Sequence, residues 1–247
     1  MLLSLLQGGS ITDIIISLLL TLPIILLALS FHEAAHGYAA WKCGDNTAYH
    51  LGRLTLNPLK HLDPIGCLTM LLVGYGWAKP VPINTRNFRN PKRGMALTAA
   101  AGPAANLLLG LVSVILFSFF SSLYTYTAIK TGEGFLLNCV YWLAMIFQLS
   151  ALVNFMLMAF NLIPIPPFDG SRIAFAFLPP KQYFSIMRYE RQIMYGFLIV
   201  LLVLSYFFDF SPSYWVAEQL TDLIYSPLNR LFSKLLLPED IFRYLFG

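Results

Sequence analysis

The stretch IIISLLLTLPIILLALSFHEAAHG, Ile14–Gly37, decides how the rest of the chain is read. From Ile14 to Phe31 it carries no charge. A helix needs about 20 apolar residues to cross a bilayer, and this run ends in His32-Glu33-Ala34-Ala35-His36. On a helix, two histidines four residues apart lie about 40° apart around the axis and one turn apart along it. Both imidazoles can then reach one tetrahedral zinc ion, which takes nitrogen ligands at about 2.0–2.1 Å. Glu33 points to a neighbouring face, where it can take a proton from a water at the metal instead of binding the metal itself. Three ionisable groups at the edge of a membrane-length run are costly, on the order of 2–3 kcal/mol for a charge at mid-bilayer, and such residues are usually functional. The plainer reading is a polar cluster that closes the helix at the interface.

The composition agrees with a membrane setting. The 247 residues are 57% hydrophobic and 11% charged, with a mean hydropathy of +0.67, against about 25% charged in a soluble domain. Four uncharged runs are long enough to span: Ile14–Phe31, Gly94–Ile129, Gly134–Phe168 and Gln192–Phe208. The second and third exceed what a crossing needs, so each is expected to include some non-helical or interfacial chain. The expected fold is an all-α polytopic membrane protein of about four transmembrane helices. A short membrane-edge β or re-entrant region and C-terminal amphipathic helices complete it. The chain reads as one integral membrane domain over 1–247, with a core at 11–175 and C-terminal helices at 192–247.

Net charge is +4, and its distribution sets orientation. Lys42, Arg53, Lys60, Lys79, Arg86, Arg89, Lys92 and Arg93 lie between the first two runs. Arg172, Lys181, Arg188 and Arg191 follow the third. The positive-inside rule puts both basic segments in the cytosol and both termini outside, in the plasma membrane. No basic patch calls for nucleic acid. The start has no positively charged n-region and reads as the beginning of the first span, not a signal peptide. Cys43, Cys67 and Cys139 form no ligand spacing and read as free thiols.

Pro23, in the middle of the first run, is expected to kink the helix, and Gly44-Asp45 to end it. Tyr49–Leu56 alternates partly and reads as a short strand. Asn57-Pro58 and Asp63-Pro64 are turn signals. Ile65–Trp77, with Gly66, Gly74 and Gly76, is too short to span and reads as re-entrant or interfacial. Lys79–Asn84 (KPVPIN) must be extended, because each residue before a proline is pushed to β or polyproline geometry. Ala99–Asn106 (AAAGPAAN) brings small residues that let helices approach closely. Asn161–Gly170 (NLIPIPPFDG) cannot continue a helix, and unwound chain at membrane depth needs protein or a water-filled cavity beside it. Residues 212–247 read as amphipathic helices on the outer surface.

A catalytic zinc site takes three protein ligands and keeps one position open. Spans one, two and three run inward, outward and inward, which returns Asp169 to the side where His32 and His36 lie. Asp169 is therefore the candidate third ligand. It can equally cap the helix that follows, and His50 and His61 stay as alternatives. Asn106 and Asn161 are candidates to hold a substrate carbonyl or oxyanion, or to serve as hydrogen-bonding glue between helices.

FHEAAH, AAGPAAN and NLIPIPPFDG, in that order on three successive spans, resemble the site-2 protease family of intramembrane zinc metalloproteases. NPLKHLDPIG and GWAKPVPIN resemble its compact subgroup, which lacks a PDZ or CBS domain. The resemblance covers about residues 28–175 and weakens after residue 192. It implies Glu33 as catalytic base, His32, His36 and Asp169 as ligands of one Zn²⁺, Asn161 as an active-site asparagine, and Asn106 as the end of the Gly-Pro-x-x-Asn motif. The implied substrates are transmembrane segments of other proteins, cleaved within the bilayer in regulated intramembrane proteolysis. The residues themselves also allow a non-proteolytic zinc transporter or receptor. That reading needs further ligands along a path across the bilayer, and the second and fourth spans carry no ionisable residue between their ends.

Overall fold

The structure, a computed structural model, describes residues 10–73, 78–179, 182, 185–186, 188–207 and 210–246. Among the described residues the named α-helices follow in chain order. They are α1 Ile11–Lys42, α2 Thr47–His50, α3 Pro64–Val73, α4 Pro91–Thr131, α5 Phe135–Asn161, α6 Asp169–Phe175, α7 Glu190–Phe207, α8 Pro212–Leu236 and α9 Glu239–Phe246. Three stretches are long and apolar enough to cross a membrane: Ile15–Lys42 in α1, then α4 and α5. The fourth uncharged run folds as α7, 18 residues long. The residues group into two compact units, 1–106 with 157–211, and 107–156 with 212–247.

In the first unit, α1 runs unbroken through Pro23. It ends as its sequence implies. Gly44 takes φ 112°, and Asp45 N donates back to Ala40 O at 2.9 Å, a helix-ending bond that needs the glycine's conformational freedom. Asp45 is fully buried. It receives Thr47 N at 3.1 Å, Asn84 N at 2.7 Å and Asn87 Nδ2 at 2.8 Å. One carboxylate thus ties the end of α1 to the loop that precedes α4.

The strand expected over 49–56 does not form. Residues 47–50 make the one-turn helix α2, and the chain then turns at Gly52, φ 63°. Arg53 N closes this turn by donating to Ala48 O at 2.9 Å. The two turn signals start helices instead. Asn57 Oδ1 accepts Leu59 N at 3.1 Å and caps a single 3₁₀ turn at Pro58–Lys60. Asp63 Oδ1 accepts Gly66 N at 2.8 Å at the start of α3. At 10 residues, α3 is about 15 Å long, half a bilayer core. Gly74, Gly76 and Trp77 lie outside the described residues. The chain is back at Ala78, paired antiparallel with Leu62, and Lys79 N donates to His61 O at 2.8 Å. Residues 79–84 then run without helix or turn. Arg53 Nη2 holds them by donating to Lys79 O at 2.8 Å and Pro80 O at 3.2 Å.

The expectation of non-helical chain is met in the third run, where α5 stops at Asn161, and not in the second. There α4 continues for 41 residues with Pro103 inside it. Proline costs one rung of the ladder, and the apolar surroundings favour keeping every remaining backbone bond inside the helix.

The second unit is built on the distal part of α4, the first part of α5, and α8. Val114, Ala151, Phe155 and Ala217 are fully buried together. Gly110 lets the Phe155 ring approach, since a Cβ there would meet it at 2.4 Å. A polar seam runs beside this core. Ser121 Oγ lies 2.8 Å from Tyr225 Oη. Ser122 Oγ donates to Asn229 Oδ1 at 2.9 Å and lies 3.0 Å from Ser233 Oγ. Phe117 stacks on Tyr225, with centroids 4.4 Å apart. These contacts climb both helices together, so α8 runs parallel to α4. One face of α8 is therefore packed against α4. The face α8 buries carries Ala217, Thr221 and Ser233, whereas α9 buries no residue.

Candidate active site

His32 and His36 project from one face of α1, with ring centroids 4.5 Å apart and their Nε2 atoms 2.9 Å apart. Asp169 is the first residue of α6. It is carried there by the proline-rich segment 162–168, which leaves the helix and doubles back so closely that a Cβ on Gly170 would lie 2.2 Å from Leu162 O. Asp169 Oδ2 is 3.1 Å from both His32 Nε2 and His36 Nε2. All three side chains are buried, and among the described residues they form the one cluster of this kind able to hold a metal ion.

The far side of each ring decides which atoms face inward. His36 Nδ1 lies 2.7 Å from Thr98 O. A backbone carbonyl only accepts, so Nδ1 carries the hydrogen and Nε2 presents its lone pair. Thr98 O sits one residue before the Ala99 carbonyl, whose usual N–H donor Pro103 lacks. His32 Nδ1 lies 2.6 Å from Asn106 Oδ1. Two imidazole lone pairs and a carboxylate oxygen therefore converge with no donor of their own between them. Like-signed lone pairs at 2.9–3.1 Å repel, and a cation at their centre reverses the sign. Nitrogen and oxygen ligands at about 2.0–2.2 Å from a tetrahedral zinc are about 3.3 Å from one another, so the donor set fits with only a slight spreading.

Gly102 supports the same reading. A Cβ there would stand 2.4 Å from His36 Nε2 and 2.6 Å from His32 Nε2 and Cε1. The space beside the converging atoms exists because α4 carries no side chain at that position. From the sequence, the residue registers only as one of several small residues that ease helix packing.

Glu33, on the next face of α1, lines the same cavity of about 570 Å³ as the triad. Its Oε2 accepts the Val81 N–H at 2.7 Å. Pro80 and Pro82 have no N–H, so Val81 supplies the one backbone donor in that tripeptide. Asn161 also lines the cavity, and its Nδ2 donates to Leu157 O at 2.9 Å. Asn106 does not line it. It is wholly buried and turned toward His32, which corrects the expectation that it meets a substrate carbonyl. The alternative ligands stay away from the cluster. His50 is exposed on α2, and His61, although buried, donates from Nε2 to Thr55 O at 2.8 Å. The residues that sequence reasoning missed are Gly102, Thr98 through its carbonyl, and Val81 through its amide.

Comparison with known proteins places this site in context. The family model described as peptidase family M50 matches residues 20–204. A Bacillus subtilis protein named "Putative zinc metalloprotease YwhC" is 38% identical over 181 residues, 72% of this chain and 77% of the relative. A Mycolicibacterium smegmatis relative named "Putative zinc metalloprotease Rip2" is 29% identical over 208 residues, 75% of this chain and 71% of the relative. The protein of the same name from Mycobacterium tuberculosis is 28% identical over 206 residues, 78% of this chain and 71% of the relative. No solved structure matches the chain significantly. With most of its length under one family model, and a curated relative aligned along more than two thirds of both chains, the chain belongs to peptidase family M50, the site-2 protease family.

Proposed function

We infer that this protein is an intramembrane zinc metalloprotease in which His32, His36 and Asp169 hold one zinc ion and Glu33 is the general base. The observation that carries the reading is the inward convergence of His32 Nε2, His36 Nε2 and Asp169 Oδ2, with the histidine donors committed on the far side of each ring. Bound there, zinc supplies Lewis acidity, polarising a water and the scissile carbonyl.

The chain's own groups supply the remainder. Glu33 takes the proton of the attacking water and passes it to the leaving amine. The Val81 amide fixes one carboxylate oxygen of Glu33 while it does so. Asn161 has two amide hydrogens. One serves Leu157 O, and the other is offered to the substrate carbonyl. The extended 79–84 segment, pinned by Arg53 at its carbonyls, can pair with an unwound substrate strand by β-augmentation. Unwinding is required because helical amides are shielded.

The topology we favour has four crossings, α1 inward, α4 outward, α5 inward and α7 outward, with α3 as a re-entrant excursion that begins just after the Leu62–Ala78 pairing. Lys and Arg in the 42–93 and 172–191 segments favour a cytosolic position for the site at the plasma membrane. The substrates are transmembrane segments of other proteins. A transporter needs a succession of ligand sets, and one cluster among the described residues does not supply it.

The deciding experiment uses purified Glu33→Gln protein in lipid, assayed for cleavage of a transmembrane peptide and for bound zinc. Cleavage falls below detection while zinc stays at the wild-type stoichiometry. Retained cleavage removes Glu33 as base, and loss of zinc with Glu33 places it among the ligands.

A further inference from the structure

Asn106 is among the largest side chains withdrawn completely from solvent. It lies on α4, and both ends of its amide are directed at α1. The Nδ2 donates to Ala28 O at 3.3 Å, and the Oδ1 lies 2.6 Å from His32 Nδ1. Ala28 is one helical turn before His32, and its carbonyl can only accept. That fixes which end of the amide is nitrogen, and therefore which end meets the imidazole. An amide oxygen is an acceptor without a hydrogen of its own. His32 Nδ1 must carry the hydrogen, and Nε2 is left with its lone pair on the side of His36 and Asp169.

We propose that Asn106 is a positioning residue for the metal. It locks His32 in the tautomer and ring orientation that present Nε2 to zinc. The proposal rests on the zinc metalloprotease reading above and adds to it. Histidine ligands elsewhere are oriented by carboxylates, backbone carbonyls or water. Here His36 uses a backbone carbonyl, Thr98 O, and His32 uses a neutral side-chain amide. Neutrality has a physical reason. The two charges of a zinc ion are matched by Asp169 and Glu33, and a third carboxylate would leave excess negative charge in an apolar surrounding, where an unmatched charge is costly.

A role in helix packing alone makes the opposite forecast for substitutions, which allows a decision. Asn106→Leu keeps volume and removes the acceptor. Asn106→Asp keeps an acceptor at Nδ1 and buries a charge. If Asn106 only packs, Leu is the tolerated variant and neither alters zinc affinity. If Asn106 positions His32, Leu weakens zinc and Asp restores it.

The measurement is zinc affinity by competition with a chelator of known strength, on full-length protein in detergent, with thermal unfolding to confirm that each variant is folded. The expected loss for Asn106→Leu is about 10- to 100-fold, with Asn106→Asp within about threefold of wild type or tighter. Asn106→Ala, which also deletes the acceptor with less bulk, replaces Leu if that variant does not fold. Wild-type affinity in either folded, acceptor-free variant overturns the positioning role and leaves the protease reading standing. Wild-type protein that takes up no zinc overturns both.

Discussion

Gly102 and Gly110 stand eight residues apart on the same helix and do the same thing for different neighbours. Gly102, in the first unit, leaves room for the imidazoles of His32 and His36. Gly110, in the second, leaves room for the phenyl ring of Phe155. Around the first glycine the buried groups are polar and ionisable, each held by a directed hydrogen bond. Around the second the ring is fully buried among apolar neighbours. The difference shows what each unit is built to tolerate. Apolar packing can yield by small shifts of many atoms, whereas three ligand atoms aimed at one point cannot move without ceasing to be aimed.

The comparison breaks or holds first at Gly102. In Gly102→Ala the new methyl would sit 2.4–2.6 Å from atoms of both imidazoles, so the rings must rotate away. Zinc affinity and cleavage should each fall on the order of 100-fold, the scale of a displacement of about 1 Å in a catalytic constellation. The protein should still fold, with a loss of stability on the scale of other overpacked sites, about 1–3 kcal/mol. Chelator competition, peptide cleavage and a thermal melt on the same preparation check all three. If zinc affinity is unchanged, the space beside Gly102 has no bearing on the metal.

Gly110→Ala should lose stability without touching the metal. Its methyl would meet the Phe155 ring at 2.4 Å, and overpacking of this kind costs about 1–3 kcal/mol. Zinc binding should be unaffected in the folded protein. Trimming the ring in a Gly110→Ala, Phe155→Leu double variant should return part of the lost stability. A folded Gly110→Ala protein that has lost zinc would erase the distinction between the two glycines.

Much of the site is legible in sequence because its ligands obey short-range rules. Helical spacing alone aims His32 and His36 in one direction, and three prolines unwind the segment before Asp169, whose carboxylate meets both rings. What escapes is whatever depends on contacts distant in the chain. Asn106 meets His32 across 74 positions and Val81 meets Glu33 across 48, and neither pairing leaves a periodic trace. Gly102 reads like any small residue in an apolar helix until the imidazoles are placed beside it. Pro103 could end a helix, yet α4 passes through it, because a proline removes only one bond of the ladder and the rest of the long helix is kept. The partial alternation at 49–56 gives way to the one-turn helix α2 and the turn at Gly52. Amphipathic patterning marks α8 as a helix with an apolar face, but not that Thr221 and Ser233 are buried in it.

The polar hubs of the two units extend the contrast to pH, with a smaller effect. In the first unit Asp45 is the hub, and its carboxyl titrates below the ordinary value of 3.8. Burial alone would raise it, but hydrogen bonds from Thr47, Asn84 and Asn87 to the ionised form lower it further than burial lifts it. A carboxyl depressed in the folded state contributes stability that is complete above its unfolded value and is lost as pH falls through the folded one. In the second unit the hub is Ser122 with Asn229 and Ser233, none of which titrates in acid. Acidification from about pH 5 to 3 should therefore lower amide protection, corrected for intrinsic exchange, at 44–47 and 84–89, and leave the Ser122–Ser233 seam flat. The loss should be modest and smaller than that caused by Gly110→Ala. Asp45→Asn should begin with weaker protection at the same amides and show no acid slope there, because the group that titrates is gone. Equal acid slopes in both hubs would mean that Asp45 is not what ties α1 to the loop before α4. The ordered approach of residues 79–84 to Glu33 would then rest on Arg53 and on the Lys79–His61 bond at its other end.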